Sequence, residues 1–169
     1  GGLGVKAIGF DVLFRDPSPE PEPDAIFAAS VQSAKRVVLP SAYDVPISSH
    51  QADGLYRIEA SRHPIEPLAK VSTAAAHLLV DSEVDGIARR VNLSLIHEDG
   101  QTKVPALSLA MLEAGGDLKA RWVDGSSLQL QGANNLTMPI PTDARGRIGI
   151  SGTASGKAGF HPERFHVAL

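Results

Sequence analysis

The chain has 169 residues, a formal net charge of −3, 43% apolar and 21% charged residues, and no cysteine. This composition is ordinary for one folded domain with a sizeable core. It excludes a disulfide scaffold, a thiol nucleophile, a Cys-bound zinc and the basic footprint of a nucleic-acid binder. Aromatic residues are only 5%, so the core must rest on Leu, Ile, Val and Ala. No apolar run approaches the length of a membrane span. The chain opens at "GGLGVKAIGF" without a methionine, a basic n-region or an apolar h-region, and reads as a piece excised from a longer protein.

In chain order, residues 6–14 ("KAIGFDVLF") form a short run of β-formers and predict a buried strand. Asp11 lies inside that run and needs a partner or a strand-end position. Residues 15–24 ("RDPSPEPEPD") carry four prolines and predict a surface loop. Asp24 then offers an N-cap, and Phe27, Val31 and Ala34 recur at helical spacing, predicting an amphipathic helix to about Ser33. Residues 34–40 ("AKRVVLP") predict a second buried strand. Strand, helix and strand within about 35 residues make a βαβ unit, so the two strands should run parallel. Residues 41–67 are the least regular stretch, with a loop around "SSHQADG" and an edge strand in "LYRIEA".

Residues 87–96 alternate Ile87, Val91, Leu93 and Leu95 against Ala88, Arg90, Asn92 and Ser94, the period of a half-buried antiparallel strand. Residues 78–80 supply its partner, with Asp85-Gly86 as the turn. "VPALSLAMLEAGG" has Pro105 near a helix start, glycines at its end, and Leu107, Ala110, Met111 and Ala114 on one face. "SSLQLQG" is a short alternating strand, and a last strand begins at Arg147 after a turn at 143–146. The expected fold is α/β: a mixed sheet opening with a βαβ unit, flanked by helices, with an antiparallel hairpin around Asp85-Gly86, in a single domain spanning residues 1–169.

The chemistry search leaves few candidates. Asp81, Glu83, Asp85 and Gly86 match the opening of a calcium loop, but position 12 is Asn92 rather than Glu and position 9 is the cation Arg89. An Asp-Gly turn between two strands explains the stretch better. Arg89 and Arg90 should then point to opposite faces of the strand, one of them solvated. The other would pair with Asp81, Asp85 or Asp11, or receive a carboxylate or phosphate ligand. "SGTASGKAG" resembles a phosphate loop, but Ser151 replaces its first glycine and Ala158 its metal-binding hydroxyl. The six histidines form no zinc pattern, and His77 reads as a satisfied core or boundary histidine. No nucleophile elbow or catalytic triad is legible. The sequence therefore points to no catalytic residue, no metal and no cofactor.

The stretches "VKAIGFDVLFRDPSPE", "DAIFAASVQSAKRVVLP" and "HLLVDSEVDGIARRVNLSL", followed by "VPALSLAMLEA", resemble in that order the CHASE2 domain. Asp11, Asp85, Gly86, Arg89 and Arg90 match the pattern, in structural roles as readily as in binding ones. The resemblance implies a non-enzymatic, extracytoplasmic sensor domain of a bacterial inner-membrane receptor. Membrane helices outside this stretch would couple it to a nucleotide cyclase, histidine kinase, Ser/Thr kinase or diguanylate cyclase. Its partner would be an unknown small-molecule ligand or a periplasmic protein, not a nucleic acid. The full receptor would be a homodimer touching the membrane only through those flanking helices. The expected binding rim comprises Asp11, Asp81, Asp85, Arg89 and Arg90, covered by the loop around His50. The rival readings are a ligand-free dimerisation module and a small nucleotide-binding or hydrolytic domain using "SGTASGKAG".

Overall fold

The structure is a computed structural model, described over residues 4–46, 54–116, 118–123, 127–133 and 136–150. Its βαβ opening is present. Strand β1 (Ile8–Gly9) pairs in parallel with β2 (Val37–Pro40) through helix α1 (Pro21–Ala34). A third parallel strand, β5 (Ala74–Ala76), completes the order β1-β2-β5. All four residues of β2 are buried because the sheet is covered on both faces. Val37 and Leu39 pack with Ala28 and Val31 of α1 and with Leu68 of α2 (Glu66–Val71). Val38 packs on the opposite side with Ala76 and with Ala110 of α3 (Leu107–Gly115). Alternate side chains of a strand point to opposite faces, so α1 and α2 cover one face and α3 the other. Each fully buried Val or Leu in such a layer contributes about 1.5–3 kcal/mol.

The first elements correct the sequence expectations. β1 is two residues long, and Ile8 is 39% exposed, so residues 6–14 are not a buried strand. Only the part paired with β2 finds ladder partners. Helix α1 begins at Pro21, inside the stretch expected to be loop, and its N-cap is Glu20 rather than Asp24. Pro21 and Pro23 fall in the first turn, where the amide hydrogens they lack would have no helical partner. Asp24 instead accepts a hydrogen bond from the Ser18 N–H at 2.8 Å. Lys35 ends the helix in the left-handed region (φ 63°). The irregular stretch 41–67 holds β3 (Ala42–Asp44), its antiparallel partner β4 (Ala60–Arg62) and the start of α2. "LYRIEA" contributes an isolated bridge, Arg57 to Ile96, with Tyr56 and Ile58 buried on either side of it, and ends at Ala60, the first residue of β4.

The antiparallel part forms separate small sheets. β6 (Val80–Asp81) and β13 (Arg147–Gly149) flank β7 (Arg90–Asn92) in the order β13-β7-β6. β8 (Ser94–Ile96) pairs with β9 (Lys103–Pro105). β10 (Lys119–Trp122), β11 (Leu128–Gln131) and β12 (Thr137–Ile140) form a meander that sequence reading anticipated only at β11. Residues 87–96 are therefore two strands broken at Leu93. Asn92, Leu93, Ser94 and Leu95 are all buried while Ile87 is 53% exposed, so the half-buried alternation does not hold there. Helix α3 stands where expected. Leu107, Ala110, Met111 and Ala114 face the parallel sheet, and Leu109 faces Leu128 and Leu130 of the meander.

Candidate functional site

The turn between β6 and β7 is the expected Asp-Gly hairpin. The Gly86 N–H donates to the Glu83 carbonyl at 2.8 Å, and the Glu83 N–H donates to the Ile87 carbonyl at 3.0 Å. Gly86 has φ 78°, a conformation glycine adopts without Cβ strain, and Asp85 Oδ1 accepts the Ile87 N–H at 3.0 Å. A three-residue loop closing on a left-handed glycine is a common hairpin form.

Both arginines turn onto this loop. Arg89 Nη1 donates to Glu83 Oε2 (2.9 Å) and to Asp85 Oδ1 (3.0 Å), and its Nη2 donates to Asp85 Oδ2 (2.7 Å). Arg90 Nη1 reaches Glu83 Oε1 at 3.3 Å. The two guanidinium groups thus share Glu83, which corrects the expectation of opposite faces: Arg89 precedes the strand and its side chain is free to fold back. Arg89 chiefly, with the Ile87 N–H, holds the Asp85 carboxyl below its usual range, and Asp85 and Glu83 raise the Arg89 guanidinium. Two carboxylates and two guanidinium groups balance in charge. The Arg89 fork is filled by the chain's own carboxylates. Each of these side chains is more than a third exposed, so solvent screens the pairs.

Asp81 is bonded to Asn92 rather than to either arginine's guanidinium. The register places Asp81 opposite Arg90, and Arg147 opposite Asn92, so Arg147, Asn92, Arg90 and Asp81 share one face of β13-β7-β6. Asn92 Nδ2 donates to Asp81 Oδ2 at 3.2 Å. The buried Tyr56 lies against this face. Burial raises its hydroxyl above the usual value, the Asp81 carboxylate raises it further, and Arg145 and Arg147 oppose them. Asp143 Oδ2 receives Arg147 Nε at 2.9 Å and Nη2 at 2.8 Å, while its Oδ1 receives the Arg145 and Arg147 amides. The Asp143–Gly146 turn repeats the hydrogen-bond pattern of the Glu83–Gly86 turn. This inner polar layer was not legible in sequence, because its members come from four separate stretches.

The other expected residues lie apart. Asp11 is exposed beyond the end of β1, and the sheet of β1 shares no strand with the hairpin. His50, "SGTASGKAG", His161 and His166 lie outside the described residues. Among the described residues no three His, Asp or Glu groups converge on a metal-binding point, and no helix is long and apolar enough to cross a membrane.

Sequence reading missed a second polar cluster, at the carboxyl end of β2. Ser41 is 2% exposed, and its Oγ lies 2.9 Å from His63 Nδ1. His63 Nε2 lies 3.1 Å from Ser61 Oγ. The Tyr43 ring stands edge-on to both His63 (6.2 Å) and His97 (6.5 Å). Burial raises the Tyr43 hydroxyl, and a hydrogen bond with Ser41 works against it. Beside this cluster a cavity of about 110 Å³ is lined by Leu39, Ser41, His63, Ser72 and Ala75, among others. The available signal was position: Ser41 follows the central strand of a parallel sheet, and ligands of α/β sheets gather at carboxyl ends of strands.

His77 is buried, as expected, but only half satisfied. Its Nδ1 accepts the Leu79 N–H at 3.2 Å, while its Nε2 has no partner among the described residues. Burial pushes it down to about 4.

No curated protein and no solved structure matches the chain. The sequence profile of the CHASE2 domain matches residues 2–165, which contain the βαβ opening, the Asp85-Gly86 hairpin and α3. The chain therefore belongs to the CHASE2 family, as a sensory, non-catalytic domain of bacterial signal transduction.

Proposed function

We propose that this chain is one extracytoplasmic sensor domain of a bacterial membrane receptor, which reads a small molecule or a periplasmic partner. Flanking membrane helices would pass the signal to a cyclase or kinase output domain, and the receptor would be a homodimer. Its family membership over nearly the whole chain carries this reading. In energetic terms a sensor needs only a ligand with unequal affinity for two receptor states.

The hairpin bearing Asp81, Asp85, Arg89 and Arg90 is the proposed contact for a protein partner. Its carboxylates already fill the Arg89 fork, which suits a preshaped surface better than an anion pocket. Asp11 drops out of this surface because it lies past β1, outside the hairpin and its sheet.

Reporter fusions placed on either side of the domain in the full-length receptor test the topology. Periplasmically active reporters at both junctions are expected, and cytoplasmically active ones would refute the reading. Deleting the domain should change the basal output activity of the receptor. An unchanged output would leave a dimerisation module as the better account.

A further inference from the structure

An open groove of about 790 Å³ runs between residues 4–7 and helix α3. Its walls are Val5, Ala7, Met111, Leu112 and Leu118, and its polar side chains are Lys6 and Ser108. Val5 is 54% and Leu112 48% exposed, so apolar surface stands open to solvent along it. A Cβ on Gly115 would meet Ala7 Cβ at 3.1 Å, so this glycine lets residues 6 and 7 lie close against the helix and form the floor. Past Leu118 the apolar surface continues, because Gly132 stands between Leu118 and the exposed Leu136. A contiguous exposed apolar stretch with a polar rim marks a binding surface.

One end of the groove is positive. Arg36 Nη1 donates to the Gly115 carbonyl at 3.2 Å, which puts its guanidinium at the last turn of α3, and Lys6 passes the same glycine. Among the described residues neither cation has a carboxylate partner. No Asp or Glu lines the groove, and Glu113, the one acid of α3, accepts the Ala120 N–H at 2.8 Å. At the other end the lining residue is the uncharged Ser108. From Ser108 to Gly116 the helix rises about 12 Å, the length of an alkyl chain of roughly eight to ten carbons. Apolar walls over that length with cations at one end match a single-chain amphiphile with an anionic head.

We propose that this groove binds a medium-chain fatty acid, its carboxylate at Lys6 and Arg36 and its alkyl chain along Val5, Met111 and Leu112. The carboxylate accepts charge-assisted hydrogen bonds from both cations, which a neutral head cannot match. This deepens the sensory reading by naming a ligand class, and it rests on that reading for its biological role alone.

The test is a two-dimensional NMR titration of the 169-residue chain with hexanoate, octanoate, decanoate, octan-1-ol and octyltrimethylammonium, all below micelle-forming concentrations. Octanoate should give saturable shifts at the amides of Ala7, Leu112, Gly116 and Leu118, with a dissociation constant on the order of millimolar. Each two added carbons should tighten binding by roughly four- to fifteenfold, as more methylene surface leaves water. Octan-1-ol should bind roughly two- to fivefold more weakly than octanoate, the worth of exposed ion pairs, and octyltrimethylammonium more weakly still. Replacing both cations, Lys6→Gln with Arg36→Gln, should bring octanoate and octan-1-ol to equal affinity. Leu112→Gln changes a half-exposed side chain that the fold tolerates, and should weaken both by roughly threefold or more. Unsaturable shifts, octan-1-ol or octyltrimethylammonium binding as tightly as octanoate, one affinity for all three chain lengths, or unchanged binding by Leu112→Gln would each overturn the proposal. None of these outcomes bears on the membrane topology or output of the receptor, so the two readings fail separately.

Discussion

His77 should make the stability of this domain fall as pH drops from 7.5 to 4.5. Burial holds its folded value at about 4, against an ordinary 6.5. The sign follows from the protons bound. Between those values the unfolded chain takes up a proton that the folded chain refuses, so acid favours unfolding. The stability is fully present above pH 6.5, is lost progressively toward pH 4, and changes no further below that. A shift of this size is worth about 3 kcal/mol in total, and about 2.5 kcal/mol by pH 4.5. The geometry agrees with the sign. Nδ1 accepts the Leu79 amide, so protonation would set a donor against a donor and untie Leu79, one residue before β6. His77→Asn is the informative change, because Asn Oδ1 stands close to where Nδ1 stood and still accepts that amide. Urea melts of both proteins at pH 7.5, 6.5, 5.5 and 4.5 read the effect. At an m-value of about 2–3 kcal/mol/M, the wild-type midpoint should lose roughly 1 M more than the variant's. The other histidines cancel in the difference, and Asp99, held at about 2, titrates below the window. Equal pH dependence in the two proteins would refute the reasoning.

The two glycine turns give a paired prediction. Gly146→Ala places a Cβ 2.5 Å from Leu55 Cδ2 and 2.7 Å from Trp122 Cη2, at φ 68°, and should cost about 2–4 kcal/mol. Gly86→Ala meets nothing within 4 Å and should cost only the backbone strain, about 1 kcal/mol. Thermal melts that reverse this order would contradict the packing described. Arg147→Met removes the cation facing Asp143 and should destabilise by about 2–3 kcal/mol, less than for a fully buried pair because the Asp143 side chain is 33% exposed. Urea midpoints of Arg147→Met, Asp143→Asn and the double variant check it, and strict additivity would show that the pair is not coupled.

The sequence alone determined the local elements whose causes are local. "VVLP" is apolar at every position and so reads as a buried strand, and the helix before it points to a parallel pairing, as the structure has it. The Asp85-Gly86 turn and α3 were equally legible, because turn chemistry and helical spacing act within a few residues. The polar assemblies needed the tertiary structure. Arg89 and Arg90 meet on Glu83 because the loop curls back, which a strand periodicity carried past its true start could not anticipate. Residues 87–96 were misread as one half-buried strand because burial of Asn92 and Ser94 depends on what covers them, not on their own polarity. Asp81, Asn92 and Arg147 come from three stretches, and only strand register sets them on the one face that Tyr56 lies against. Ser41 and His63 stand 22 positions apart and touch because β4 returns antiparallel beside β3 at the end of β2. Backbone preference acts over a few residues and is written locally. Side-chain meetings across long separations are decided by the packing of whole elements, and the polar clusters of this protein are built from such meetings.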